Sequence, residues 1–333
     1  GNTFNLSFTI GTTFNEQLRE KQKFNPSLDI KENKENSKIA FYESILLNLN
    51  NNNLFLQTAS LKENQLDVSI SSSQHRNAIR SSSYAASIAK EVANINLVNL
   101  NSINVSHINA GIETNNITYI ANHLDKKSKT PIEVKKYYTK IESGNSDSFK
   151  QHEFQPKLNF PIIFSTTQPT LTNYIGNPGK FYYGGLNIQN NSEIQFSRNA
   201  ILSSEIGYRL YSKFDDITSN PDSLLEHVRT DVVDYLQEEN LYLSRMQFDY
   251  IWSPYKNIYT KVSSGLFEQM FGGIGSEILY QPFGKNYSFG AELFYVKQRS
   301  PNGILEFRDY STITGHLNFG YKLPLGIESN LSF

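Results

Sequence analysis

The chain has 333 residues, enough for one large domain or two ordinary ones, with 31 basic against 32 acidic residues. That balance leaves no basic field for a nucleic acid, and the complete lack of cysteine excludes disulfides, Cys-ligated zinc and a thiol nucleophile. Mean hydropathy is −0.46 and no run of about 18 apolar residues occurs, which excludes a transmembrane helix but not a transmembrane strand.

Residues 4–14 alternate Phe4, Leu6, Phe8, Ile10 with polar neighbours, which is strand periodicity. We take residues 1–25 as carrying an N-terminal strand and residues 26–36, with Pro26 and the run Lys31-Glu32-Asn33-Lys34-Glu35, as a linker. Residues 37–125 change character. Ser37 is a candidate N-cap, and Ile39, Tyr42, Ile45, Leu46 and Leu49 follow at helical spacing until the Asn50–Asn53 run. Leu54–Ala59 and Leu66–Ile70 read as strands, and 77–93 as a second helix. Ile103–Ile108 and Ile112–Ile120 read as a hairpin around Asn109-Ala110-Gly111. The order α-β-β-α-β-β predicts a small α/β domain with two helices on a four-stranded sheet. Residues 126–180 are polar and punctuated by proline, and are expected to be a return segment.

From residue 181 to 333 strand-period segments follow one another, at 181–196, 200–214, 241–252, 258–267, 274–281, 287–298, 305–321 and 327–333. Only within 222–239 is there a hint of helix. One face of the second strand carries Leu202, Ile206, Tyr208 and Leu210 and the other Glu205, Gly207 and Arg209. The third places Tyr242, Met246, Phe248, Tyr250 and Trp252 against Arg245, Gln247 and Asp249. A soluble sandwich alternates in the same way. Two features favour a membrane barrel. Short turns at 197–199, 253–257, 282–286 and 322–326 alternate with longer loops, the largest at 215–240, as in transmembrane barrels. Aromatics also crowd the strand ends, among them Trp252, Tyr255, Tyr280, Phe283, Tyr287 and Tyr321, as an interfacial girdle would.

Three stretches carry a resemblance. They are Tyr174-Ile175-Gly176-Asn177-Pro178, Leu225-Glu226-His227-Val228-Arg229-Thr230-Asp231, and the run Ser264-Gly265-Leu266-Phe267-Glu268-Gln269-Met270-Phe271-Gly272-Gly273-Ile274-Gly275-Ser276-Glu277-Ile278-Leu279-Tyr280. With Val296–Arg299, Asp309-Tyr310 and Thr314-Gly315-His316, their order and spacing over about 173 to 321 resemble the YjbH-like family of Gram-negative outer-membrane proteins of exopolysaccharide and capsule production. Residues 37–125 resemble that family's α/β insert in layout alone. The resemblance implies a mainly β protein: an antiparallel outer-membrane β-barrel with an inserted periplasmic α/β domain. Family members are larger, with two barrel-like halves, so the resemblance also implies that this chain is a fragment of the second half. An odd strand count points the same way, since eight strands after residue 180 and one at 4–14 make nine where bacterial barrels are even.

The candidate site residues are charges on strand faces opposite the apolar one: Arg209, Arg245, Asp249, Glu277 and Glu292, with Lys261 among them. A basic side chain in lipid near the midplane costs roughly 2–4 kcal/mol, so these must point inward. There they form either a salt-bridged plug or a polar conduit. Glu268 and Glu277 are expected on adjacent strands beside a glycine-rich turn, lining a mouth. Carboxylate pairs also serve glycosidases, but nothing in the sequence fixes their separation. Gly265–Gly275 reads otherwise as glycines permitting a sharp turn. Arg229 and Asp231 in the longest loop either pair with one another or touch a sugar or partner. His316 is one of six scattered histidines without metal-ligand spacing, and is read as a lumen hydrogen-bonding group. No motif supports a hydrolase or a nucleotide site. The expectation is therefore a non-enzymatic outer-membrane protein with no cofactor and no metal. Its partners would be outer-membrane lipid, polysaccharide and periplasmic or outer-membrane export proteins. The alternatives are a scaffolding barrel that anchors a periplasmic partner-binding domain and, more distantly, an outer-membrane hydrolase.

Overall fold

The computed structural model describes residues 37–72, 77–124, 138–143, 151–175, 181–217, 231–237, 240–303, 305–322 and 328–332. The strand expected at 4–14, the linker, and Arg229 fall outside them.

The first unit begins with α1 (Lys38–Asn50), whose N-cap Ser37 accepts the Ala40 N–H at 3.2 Å. An Asx cap opens α2 (Ala78–Ile95), where the Asn77 side chain accepts from Ile79 and Arg80. Between and after the helices run β1 (Leu54–Lys62), β2 (Gln65–Ser72), β3 (Ser102–Asn109), β4 (Ile112–Ile120) and the short helix α3 (Ala121–Leu124). The element order is the expected one. The sheet, however, has five strands, because β5 (Tyr138–Ser143) from the supposed return segment adds to β4. Only β2 and β3 pair parallel, as a crossover through α2 requires. Ile45, Leu49, Leu54, Ile70, Ile88 and Ile117 are fully buried in one core. Alanines 85, 86, 89 and 93 on the buried face of α2 keep that side of the helix slim. Glu153, beyond β5, accepts from the Tyr42 hydroxyl at 2.5 Å and from Lys38 at 3.3 Å. Those two donors hold its carboxyl below the usual range, while burial pushes the Tyr42 hydroxyl up.

The second unit is a nine-stranded antiparallel meander, in which every strand pairs with its neighbours in sequence. It comprises β6 (Ile162–Ile175), β7 (Tyr182–Gln195), β8 (Ala200–Ser212), β9 (Leu241–Tyr255), β10 (Ile258–Leu266), β11 (Phe271–Tyr280), β12 (Tyr287–Arg299), β13 (Phe307–Lys322) and β14 (Glu328–Ser332). Eight of these fall where alternation placed them. β6 corrects the sequence reading, which gave 126–180 to a return segment. The strand lies at the sheet edge and contains Pro169, which cannot donate to a ladder and is tolerated there. The strand count before any contribution from 4–14 is thus nine, not eight. Among the described residues β6 and β14 are the two edges and do not pair.

Meander parity sets the connections β7–β8, β9–β10, β11–β12 and β13–β14 at one end of the sheet, so the short turns share that end as their spacing predicts. The first unit meets the sheet at the same end. The tip of the β3–β4 hairpin, with φ +46° at Ala110 and +70° at Gly111, lies against the β7–β8 turn. Asn199 Nδ2 donates to Ala110 O at 3.0 Å, and a Cβ on Gly111 would stand 2.6 Å from Asn199 Oδ1.

The two faces of the large sheet differ. Tyr208, Leu210, Phe248, Tyr250, Ile274, Leu293, Ile313 and Leu317 all point to one face, and nothing in the described chain covers them; Leu293 is 58% exposed and Ile313 66%. Toward the short-turn end the same face carries a run of rings, Tyr280–Tyr287–Phe289–Phe319–Tyr321, with successive centroids 5.0–6.5 Å apart. Tyr242 departs from its expected face. A bulge between Glu205/Ile206 on β8 and the facing β9 puts Tyr242 opposite Gly207, where its ring fills the space a Cβ would need.

Candidate functional site

The polar face is built by register. Lys261, Glu277, Glu292 and His316 are directly opposite one another on β10, β11, β12 and β13, a row of four charged or chargeable groups across four strands. Lys261 meets Glu277 at 2.7 Å and His316 meets Glu292 at 2.7 Å, so each carboxylate has its own partner. The carboxylates of Glu277 and Glu292 nonetheless face each other as like charges, a destabilising cross-strand pair that the Lys261 ion pair and the His316 hydrogen bond offset. One step along the strands a second polar line runs down β9. Arg245 donates to Gln247 Oε1 at 2.8 and 3.1 Å, Gln247 donates to Asp249 at 2.7 Å, and Ser263 donates to the same carboxylate at 2.5 Å. Arg245 also lies opposite Glu205 and borders a hollow of about 310 Å³ with Asn191 and Glu193.

Arg245 and Asp249 are cross-strand neighbours of neither Arg209 nor Glu292. Gln247 relays between the first two on their own strand, and Glu205 and Ser263 are the cross-strand neighbours. Arg209, inward-facing and buried, donates to Tyr235 O at 2.6 Å and lies over the Tyr242 ring at 5.1 Å. It anchors a loop and does not line a passage. Glu268 does not lie on a strand. It sits in the turn between β10 and β11, and its main-chain oxygen accepts from Arg299 at 2.8 Å, while Glu277 belongs to the ion-pair row farther along β11. The two are not brought together as a mouth. Gly265 has positive φ (+127°) within β10, and a Cβ there would stand 2.2 Å from Met246 O, so this glycine permits the close approach of β9, whereas the turn itself, 267–270, contains no glycine.

At the loop end the polar face is covered. The connection between β8 and β9 returns as α4 (Val232–Gln237), and Phe214, Ile217, Val233, Tyr235 and Leu236 are buried against Tyr183, Met270, Phe271 and Val296. Tyr235 donates its hydroxyl to Arg299 O, and Arg299 reaches Leu243 O at 2.9 Å. Asp231 pairs with Arg308 at 2.6 Å, and Arg308 also reaches Asp234 at 3.2 Å. Asp231 thus has a long-range partner from β13, while Arg229, the other half of the expected pair, lies outside the described residues. Sequence reasoning missed Arg308, Arg299 and Tyr235, whose partners lie about 60 to 80 residues away.

A further constellation lies in the first unit. Ser81 Oγ stands 2.6 Å from His107 Nε2, and Asn115 Nδ2 lies 3.0 Å from His107 Nδ1. In a nucleophilic triad the orienting group accepts from Nδ1 and leaves Nε2 free to take the hydroxyl proton. Here the Asn115 amide donates to Nδ1, so Nε2 carries the proton and Ser81 is the acceptor. Ser81 is also fully buried, and burial pushes His107 down to about 4. The arrangement is a satisfied polar core. Among the described residues no group of three or more His, Asp or Glu side chains is placed to hold a metal, and no helix is long and apolar enough to cross a membrane.

A protein from Escherichia coli K12 named as an uncharacterized lipoprotein, YjbH, is 34% identical over 155 residues, 45% of this chain. The match covers 22% of that protein, so the chain spans well under two thirds of the relative's length. No solved structure matches. The family model described as exopolysaccharide biosynthesis protein YbjH matches residues 1–333, and the chain belongs to this YjbH family.

Proposed function

We propose that the large sheet is wall of an outer-membrane β-barrel that takes part, without catalysis, in the export or surface assembly of exopolysaccharide, and that the α/β unit lies in the periplasm and docks export partners. The observation that carries this is the two-faced sheet. An uncovered apolar face of this breadth marks a membrane or partner surface. Strands of 13–16 residues such as β9, β12 and β13 exceed the 9–11 that a tilted membrane strand requires. Aromatic rings concentrate at one border of that face, and the ion-pair row lies on the other face, where lipid would not meet it. The family supports the exopolysaccharide role, and the relative's description as a lipoprotein supports an envelope location.

Density-gradient fractionation of a Gram-negative host should place the chain with outer-membrane markers, and the band should shift on gels when heated. Cysteines introduced at Lys256 and Lys285 should be shielded from an impermeant thiol reagent in intact cells, and one at Asn302 should react. The reverse labelling pattern would overturn the orientation. A second reading, a barrel that conducts nothing and only anchors the α/β unit, is favoured by one feature: α4 and its aromatic bed cover the loop end of the polar face. Deleting α4 separates the two. A conduit would pass more polymer or small solute, and a scaffold would change only in stability.

A further inference from the structure

The loop end carries a cleft of about 660 Å³ between α4 and the β12–β13 connection, distinct from the ion-pair row. That volume suits a small-molecule or chain-segment site, but the walls do not resemble an ordinary apolar pocket. Asp234 and Gln237 come from α4, Asn240 precedes β9, Ser300 and Asn302 flank Pro301 in the turn, and Arg308 comes from β13. Proline supplies the apolar surface. The rest are amide, hydroxyl, carboxylate and guanidinium groups that donate and accept at short range.

Two properties define the ligand. First, the charges among the described lining residues cancel, since Asp234 and Arg308 pair with each other at 3.2 Å. A polyanion would meet the Asp234 carboxylate without a surplus cation, because Arg308 is already shared between Asp231 and Asp234. Secondly, the polar groups are held in place. Arg308 is fixed by Asp231 at 2.6 Å and lies 6.0 Å from the Tyr235 ring centroid, and Gln237 Nε2 is fixed on Phe214 O and Ile217 O at 2.9 and 2.8 Å. A guanidinium held to donate and an amide oxygen left to accept match vicinal hydroxyls, which do both.

We propose that this cleft binds a segment of a neutral, polyhydroxylated glycan. The inference rests on the exopolysaccharide reading and adds a place and a charge class to it. With the α/β unit in the periplasm, the cleft lies at the opposite, outer end and grips the polymer as it leaves.

The full chain in detergent should be titrated calorimetrically with neutral hexasaccharides (gluco-, manno- and cello-type) and with a hexamer of galacturonic acid. Saturable binding of a neutral member is expected, with no binding of the uronic acid. Asn302→Asp, which removes an amide donor and leaves a carboxylate to be desolvated, should weaken binding about tenfold, the size expected for one lost hydrogen bond. Lys256→Gln at the other end should leave binding unchanged. Failure of every neutral hexasaccharide to saturate, preference for the uronic acid, or parental affinity in Asn302→Asp would each overturn the cleft assignment. Gradient position and heat-modifiability of the same preparations report on the export reading separately. A chain outside the outer membrane that still binds glycan sinks that reading and keeps the cleft. A correctly placed chain that binds nothing does the opposite.

Discussion

Branched aliphatic residues meet opposite fates in the two sheets. Ile45, Leu54 and Ile117 in the α/β unit have no exposed surface, whereas Leu293, Ile313 and Leu317 in the large sheet are about three-fifths exposed. Both sheets alternate apolar with polar residues along their strands. In the first, helices α1 and α2 cover the apolar side and exclude water. In the second, no described element covers it, and the buried positions gather instead at the loop end under α4. Alternation states that a strand has two unlike faces. What lies against the apolar one must be learned from the rest of the fold, and among the described residues of the large sheet nothing does.

The comparison can be broken most forcefully in the α/β core. Ile45→Ala should cost about 2–5 kcal/mol, read as a lower denaturant midpoint for the helical circular dichroism signal of the full chain. Leu293→Ala, at a side chain that is 58% exposed, should leave that midpoint unchanged. If the two substitutions cost the same, the large sheet has a covered face that the described chain does not show.

Leu293→Arg sharpens the contrast. If this face meets lipid, the change should cost roughly 2–4 kcal/mol near the midplane and reduce the heat-resistant band. A water-exposed site would tolerate it within about 0.5 kcal/mol. A normal yield of heat-modifiable protein would therefore count against the membrane face.

The α/β core also has a pH signature. His107 titrates near 4 in the folded chain, below the ordinary value of 6.5, because burial disfavours its cation. The unfolded chain therefore takes up the proton first. Stability is fully present above pH 6.5, declines as pH falls from 6.5 toward 4, and levels off below, with a total loss on the order of 3 kcal/mol. Asn in place of His107 should remove that slope from acid denaturation of the helical signal. An unchanged slope would assign it elsewhere.

The smallest expected effect on stability is on the polar face. Arg245→Ala removes a partly exposed side chain whose hydrogen bonds go to Gln247, so the fold should lose under about 1 kcal/mol. Surface polymer, measured by sugar analysis of intact cells, should nonetheless fall if the inner face is a conduit. Unaltered polymer with unaltered heat-modifiability leaves neither a conduit nor a plug role for this residue.

Local chemistry was legible in the sequence. Ser37 announced the first helix start, and eight strands of the large sheet followed from alternation because each is long and two-faced. β6 was hidden by its own composition. Ser165, Thr167, Asn190 and Ser192 hydrogen-bond across β6 and β7 on the face that is apolar elsewhere, so neither period nor hydropathy marks the strand, and Pro169 argues against it. The inward set was legible as a set, but its partners were not. Pairing of Lys261 with Glu277 and of Glu292 with His316 is a property of register, which depends on turn lengths and bulges rather than on any one strand. The α4 anchor was least legible, because Arg209, Arg299 and Arg308 look in sequence like any other strand arginine.

Asn199 gives the two sheets a common joint. One hydrogen of its amide is held by Ala110 in the small sheet at 3.0 Å and the other by Ile251 in the large one at 2.8 Å. The side chain thus works as a pin through two plates, with Gly111 seated too close to it for any larger residue. A pull on the α/β unit, by a partner that grips it, is delivered through residues 155–161 to the start of β6 as well as to the β7–β8 turn and the end of β9. Strain entering there runs down β9 to Asp249, Gln247 and Arg245, so the polar face is mechanically in series with whatever holds the smaller unit.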